Sequence, residues 1–366
     1  MKKLCTVFII LFLAVIALPA VWVFVTPDTE FSDNENRMLQ TRPELSGGTL
    51  LTGSFQEKLT SFISDQFPAR DLWTENVTRI KKLAGFKDVG GAYLGADGYY
   101  LEKITPDDID MRKFAGNLGF VRDFAEKNAD RGCTVMLVPE AASVYPERLP
   151  KGAVGYDYAS LFFTATQALD NCRVPDVFTP LAADKSAYNY YMTDHHWTTM
   201  GAKLAYEVLT EGNGAYSGGL ELFSDDFLGT TYSKTLDPAA KPDSVHIAPV
   251  ADGITVTADG KDISLYYREA ANEKDKYKVF FGGNYAQALI KTPADNDRCL
   301  LVIKDSFANS LVPFLTADYG TIVMLDLRYF NGSVQNIADE LGADEVLFIY
   351  EASSFANENN LIKLSF

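Results

Sequence analysis

Two stretches of this chain carry the residue types that acyl transfer needs. Asp194-His195-His196-Trp197 sets a carboxylate two positions before an imidazole, and Asp305-Ser306 sets a hydroxyl at the end of the apolar run Cys299–Ile303. A serine hydroxyl is a poor nucleophile at neutral pH; it needs a base to take its proton and a third group to orient that base. Asp194 can curl back to the Nδ1–H of His196, which leaves Nε2 for Ser306. Neighbouring residues point differently, so one histidine is expected to face Ser306 while His195 and Trp197 support the loop. Taken singly, Ser306 and Asp194 each read as a helix N-cap. Two of the chain's three histidines beside an aspartate tip the reading to a catalytic Ser306, His196 and Asp194.

For these stretches to meet, both must leave the same edge of a sheet. From about Pro106 the pattern is α/β. Helical periodicity at 107–129, 158–170, from 198 to about 211, from Phe307, and at 333–341 alternates with apolar strands at 133–139, 174–178, 299–304, 321–327 and 345–350. Continuous apolar strands alternating with helices specify a parallel sheet covered on both faces, with ligands beyond the carboxyl ends of its strands. Both candidate stretches follow strands. The helix after Ser306 offers N-terminal N–H groups to a developing oxyanion. Residues 213–290 differ, with turn signals and short alternating runs at 254–256 and 263–267, and read as a β-rich insertion. Upstream, 54–83 reads as helix with Phe55, Leu59, Phe62 and Ile63 on one face and an interruption at Pro68, and Asp97-Gly98 marks a hairpin.

Lys2 and Lys3 precede an uncharged apolar run from Leu4 to Val25. A membrane span needs roughly 20 such residues, longer than the usual core of a cleaved signal peptide. The expected arrangement is a retained anchor with the lysines inside and Thr26 onward outside; secretion after cleavage is the alternative. The composition, 47% hydrophobic and 22% charged, is globular, and the net charge of −16 disfavours nucleic acid as a partner. Cys133, Cys172 and Cys299 lack a CxxC spacing and no carboxylate cluster surrounds the paired histidines, so neither a metal nor another cofactor is expected. The expected organisation is an anchor at 1–28, a linker and helical/hairpin region at 29–105, a catalytic domain at 106–212 and 291–366, and the insertion at 213–290.

Thr193-Asp-His-His-Trp-Thr198 resembles the signature of the DHHW proteins, related to the alginate O-acetyltransferase branch of the SGNH hydrolase-like superfamily. Ser32-Asp-Asn-Glu-Asn-Arg37, Asp65-Gln-Phe-Pro-Ala-Arg70, Asp97-Gly98 and Lys304-Asp-Ser-Phe-Ala-Asn309 resemble that family too. The resemblance implies Ser306 as nucleophile, His196 as base and Asp194 as its orienter. An ordinary SGNH domain begins with the serine strand and ends with the Asp/His loop. Here the Asp/His loop comes first, so the chain reads as a circularly permuted, flavodoxin-like sheet of order 2-1-3-4-5: strand one at 299–304, two at 321–327, three at 345–350, four at 133–139 and five at 174–178. Departures fall on the oxyanion hole. Lys304 stands where the superfamily has glycine before the Asp-Ser turn, and Leu327-Arg328-Tyr329 and Tyr350-Glu351 follow strands two and three. The Ser306 N–H is then the first donor. Arg328 follows, as a guanidinium for an acyl oxygen or a sugar or as half of a salt bridge. Asp305, Asn309, Tyr329 and the pair Gly283-Asn284 complete the candidates for oxyanion or substrate contact.

The function expected is transfer of an acyl group, acetyl first, to hydroxyls of a cell-surface polysaccharide through an acyl-enzyme on Ser306. The resemblance implies a membrane-bound O-acyltransferase partner as donor. A carbohydrate O-acetyl esterase with the same triad, or a non-catalytic polysaccharide-binding surface scaffold, are the alternatives. Strands four and five would be neighbours, which could bring Cys133 and Cys172 within disulfide reach; small buried thiols are the other reading.

Overall fold

The computed structural model describes residues 2–32, 34 and 37–366; Asp33, Glu35 and Asn36 of the polar stretch lie outside the described residues. The chain divides into two compact units, residues 1–86 with 233–239, and 87–232 with 240–366.

The first unit holds three long helices, α1 (Lys2–Val25), α2 (Ser54–Asp65) and α3 (Arg70–Leu83). Within α1, Lys3–Val25 is long and apolar enough to cross a membrane. The expected helix over 54–83 breaks at 66–69, around Pro68, where Ala69 takes a left-handed φ of 54°. Phe62 of α2 is buried with its ring 6.0 Å from that of Phe24. The two motifs of this unit meet: Arg37 donates two N–H bonds to the Asp65 carboxylate.

In the second unit, hairpin strands β1 (Ala92–Leu94) and β2 (Tyr100–Glu102) flank the Asp97-Gly98 turn. A two-residue strand, Asp88–Val89, pairs with β1, and the strands used below are β3 (Gly132–Val138), β4 (Glu221–Phe227), β5 (Asp243–Ile247), β6 (Thr255–Ala258), β7 (Lys261–Ile263), β8 (Gln287–Lys291), β9 (Cys299–Lys304), β10 (Thr321–Leu325) and β11 (Glu345–Glu351). The helices used below are α4 (Met111–Lys127), α5 (Tyr158–Ala168), α6 (Thr199–Leu209), α7 (Ala308–Leu315), α8 (Val334–Leu341) and α9 (Ala352–Asn357).

The central sheet runs β7-β6-β8-β10-β9-β11-β3. β10, β9, β11 and β3 are mutually parallel, so 299–304 lies between 321–325 and 345–351, with 132–138 outside. Every residue of β9 is buried. Its alternation sends Leu300 and Val302 into one core, and Cys299, Leu301 and Ile303 into the core on the opposite face.

Two expectations change. Residues 174–178 form no strand. One parallel bridge joins Thr134 to Arg173, and Pro175 then removes an N–H that a continuing ladder would need. The 213–290 segment is only partly separate. β4 and β5 pair with each other, whereas β8 adds antiparallel to β10, and β6 and β7 continue outward. That arrangement pairs the edge β10 would otherwise expose.

Candidate active site

β9 delivers Ser306 to the carboxyl edge of the sheet. Its partner loop, 192–198, is pinned from below by Asp243, at the start of β5. The Asp243 carboxylate accepts the N–H of Met192 and of Thr193, both at 2.8 Å, and the Thr193 hydroxyl. Thr198 then caps α6, its hydroxyl accepting the Gly201 N–H.

The three candidate catalytic side chains form one hydrogen-bonded chain. Asp194 Oδ1 lies 2.6 Å from His196 Nδ1, and His196 Nε2 lies 2.7 Å from Ser306 Oγ. Facing a carboxylate, Nδ1 carries the proton, so Nε2 is the acceptor for the serine hydroxyl. Asp194 is fixed further by its Oδ1, which accepts the His196 N–H, and its Oδ2, which accepts the Thr230 N–H at 2.8 Å and the Thr230 hydroxyl at 2.9 Å. Gly229 makes room for it: a Cβ there would stand 2.5 Å from Asp194 Oδ2.

Electrostatics match this arrangement. Burial alone would raise the Asp194 carboxyl, but the adjacent imidazoles and the hydrogen bonds from His196 and Thr230 hold it far below the usual carboxylate range. Burial, then the neighbouring His195, pushes the His196 imidazole down to about 4, against the opposing pull of Asp194. At neutral pH Asp194 is therefore charged and His196 is a neutral base. The trio Asp194, His195 and His196 also places its donor atoms within 4.8 Å of one another. The 2.6 Å separation of Asp194 Oδ1 from His196 Nδ1 is a hydrogen bond, and Asp194 Oδ2 and His196 Nε2 are bonded to Thr230 and Ser306.

His195 stands beside this chain. Its ring lies 3.8 Å from that of His196, and its Nδ1 is 2.6 Å from the Thr230 hydroxyl. Since Thr230 gives its proton to Asp194, His195 Nδ1 is the donor, and its Nε2 is left for the cleft. Tyr277 stacks on the other side of His196, centroids 4.0 Å apart at 10°, with its hydroxyl 3.0 Å from the Ser306 carbonyl oxygen. Trp197 packs as expected, fully buried, its indole N–H reaching the Phe307 carbonyl and the Ser310 hydroxyl.

Ser306 opens into a cavity of about 430 Å³ whose walls include His195, Asp305, Arg328, Ser354 and the 357–360 turn. The Ser306 N–H meets no acceptor among the described residues. Arg328 joins both readings made of it. Nε and Nη2 bind Asp326 at 2.8 and 2.6 Å, while Nη1 has no acceptor among the described residues and the side chain lines the cavity.

Of the remaining candidates only Asp305 reaches the cavity. Asp305 faces the cavity, but both its oxygens accept backbone N–H groups, from Phe307 and Glu351, and burial raises its carboxyl to about 6. Asn309 and Asn284 are turned to the buried Lys304, whose ammonium donates to Asn309 Oδ1 at 2.7 Å and Asn284 Oδ1 at 3.0 Å. Burial lowers that ammonium to about 8. Neither asparagine, nor Gly283, nor the exposed Tyr329 lines the cavity. Thr230, Gly229, Asp243 and Tyr277, all from the 213–290 segment, carry no motif that marks them in the sequence.

The similarity to known proteins coincides with this site. Residues 159–325, which hold both the Asp194 loop and Ser306, match the family described as DHHW protein. Proteins named probable alginate O-acetylase AlgJ are 28% identical over 172 residues in Pseudomonas syringae pathovar tomato and 29% identical over 171 residues in Pseudomonas putida. Each match covers 44% of this chain, and 43% and 44% of the relative, so the alignment spans less than half the length of these curated relatives. Among solved structures, a DHHW family protein from Eubacterium siraeum superposes with a TM-score of 0.65 at 24% identity, covering 76% of this chain and 96% of the other. Bacillus cereus PatB1, determined with a sulfonyl adduct, gives 0.61 at 20% identity, covering 74% and 96%. The DHHW box read in the sequence lies within the residues that match this family, and the fold is the mixed α/β fold of these neighbours.

Proposed function

We propose, from this kinship with DHHW proteins and AlgJ, that the chain is an extracellular O-acyltransferase moving an acetyl group to hydroxyls of a cell-surface polysaccharide. The observation that supports it best is the unbroken Asp194–His196–Ser306 hydrogen-bonded chain at the mouth of a polar cavity. The relatives' name, probable alginate O-acetylase, supports acetyl and a polysaccharide as the groups exchanged. On this reading the fold is the permuted SGNH sheet, with β10-β9-β11-β3 as its strands two, one, three and four.

His196 Nε2 takes the Ser306 proton as Oγ attacks the acyl carbonyl carbon. The tetrahedral oxyanion is met by the Ser306 N–H and by Arg328 Nη1. The imidazolium returns the proton to the departing donor oxygen and leaves an acyl-enzyme. A sugar hydroxyl, deprotonated in turn by His196, then attacks the acyl carbon and frees Ser306. Asp194 stays ionised throughout and stabilises the imidazolium.

α1 serves as the membrane anchor with its lysines inside, and a membrane-bound O-acyltransferase supplies the acyl group. The test is an acetyl-transfer assay on the full chain in detergent, with an activated acetyl ester as donor and with oligosaccharide and water offered together. Acetylated oligosaccharide supports the proposal. Acetate release without acetylated sugar makes the protein an esterase. No turnover and no labelling of Ser306 by a fluorophosphonate leave a binding scaffold.

A further inference from the structure

Helix α3 is amphipathic the wrong way round. At 3.6 residues per turn Leu72, Trp73, Asn76, Ile80 and Leu83 fall within an arc of about 100°, and Asp71, Thr74 and Thr78 lie on the opposite side. A surface helix ordinarily buries its apolar arc. Here Trp73 is 58% exposed, Ile80 64% and Leu83 89%. The polar side is the one turned inward: Thr78 is fully buried with its hydroxyl on the Thr235 carbonyl, and Lys82 pairs with Asp237. Apart from Phe67, whose ring meets that of Trp73 edge-on, the described residues of this unit leave the apolar side open, and Phe86, also exposed, prolongs it past the helix end.

The same unit shows what lies close to it. The last turn of α1 and the first turn of α3 wall one cavity of about 450 Å³, which Trp22 and Thr26 line together with Phe67, Arg70 and Leu72. Val23 is buried, and the Arg42 guanidinium binds both the Phe24 carbonyl oxygen and Asp28. The unit is therefore built onto the end of the apolar helix, and the exposed arc of α3 begins at the level where that helix ends. Trp and flanking basic groups are what interfacial helices carry, and Arg79 sits at the rim of this arc.

We propose that the apolar face of α3 lies in the interfacial zone of the outer leaflet, so that the protein is held by one spanning helix and one surface helix. This rests on reading α1 as a membrane anchor. Two attachments restrain the first unit at the bilayer rather than leaving it to swing on a single stalk.

The chain has three tryptophans, Trp22 in α1, Trp73 in α3 and the fully buried Trp197, so fluorescence separates the two claims. Full-length protein is reconstituted in vesicles whose phospholipids are brominated near the top of the acyl chains. In Trp22→Phe the Trp73 emission is expected to fall by about half or more, with a shift to the blue. The double variant Trp22→Phe/Trp73→Phe supplies the Trp197 background. Quenching of Trp22 in Trp73→Phe, with none of Trp73 in Trp22→Phe, overturns the lipid contact while keeping the anchor. Quenching of neither removes the anchor and the lipid contact with it.

Discussion

His196 Nε2 stands 2.7 Å from Ser306 Oγ across 110 positions of the chain. That distance is short enough for proton transfer without rearrangement. Ser306→Ala and His196→Ala are each expected to lower kcat/KM for acetyl transfer by at least about 10³-fold, with the double variant no worse than either single one, because the pair acts as a unit. Circular dichroism should be unchanged. Retention of more than about a tenth of the activity in either variant would remove the residue from the mechanism.

Thr230 ties Asp194 to His195, and its loss tests whether that bracket matters. Thr230→Val deletes a hydroxyl bonded to a charged carboxylate, worth about 1.5–3 kcal/mol. A drop in kcat of about 10- to 100-fold is expected. Thr230→Ser, which keeps the hydroxyl, should recover most of it. Equal losses in both variants would mean that the hydroxyl is not what holds Asp194.

Gly229→Ala is a purely steric probe. Its Cβ would meet Asp194 Cβ at 2.3 Å, so the carboxylate must move. A displacement of about 1 Å in an orienting group costs about 10²-fold in rate. Kinetics and thermal melts together check this: loss of activity with little change in Tm is expected, and full activity would show that the loop has slack.

The pH profile follows from His196. Its pKa is lowered to about 4, and only the neutral imidazole accepts the serine proton. kcat/KM should be flat through neutrality and fall on acidification through about pH 4, not near the ordinary histidine value of about 6.5. Asp305, raised to about 6, is bonded only to backbone N–H groups, so Asp305→Asn should leave the acid limb in place. A limb that moves with Asp305→Asn would reassign the titration to that residue.

Cys133 and Cys172 are free thiols whose sulfurs lie 3.0 Å apart. The expectation that they are neighbours agrees with this contact, although the strand that was to carry Cys172 is absent. A small side-chain rotation converts the contact to a bond of about 2.05 Å. Mild oxidation of the full chain, followed by alkylation and mass spectrometry, should show these two thiols lost together while Cys299, buried on β9, stays reduced. Four alkylatable thiols after oxidation, Cys5 among them, would rule the pairing out.

Local pattern carried a good deal of this protein. The apolar run of β9, the Asp-x-His spacing and the strand–turn–helix at Ser306 follow from side-chain chemistry within a few residues, and each was legible in the chain. The hydrophobic length of α1 and the break at Pro68 were as well, because both are properties of contiguous residues. Residues 174–178 looked like a strand because apolar residues flank Pro175, but pairing is a property of two segments and the missing N–H stops it. Only the tertiary structure decided what surrounds the triad. Thr230, Gly229 and Tyr277 approach Asp194 and His196 from a segment whose sequence shows no more than turns, since cross-chain contact leaves no periodicity to read. The same holds for α3. Its apolar stripe was there to be seen, and the 3.6-residue period would have turned it inward. Which side faces out was settled by Thr78 and Lys82 finding their partners at Thr235 and Asp237, far along the chain.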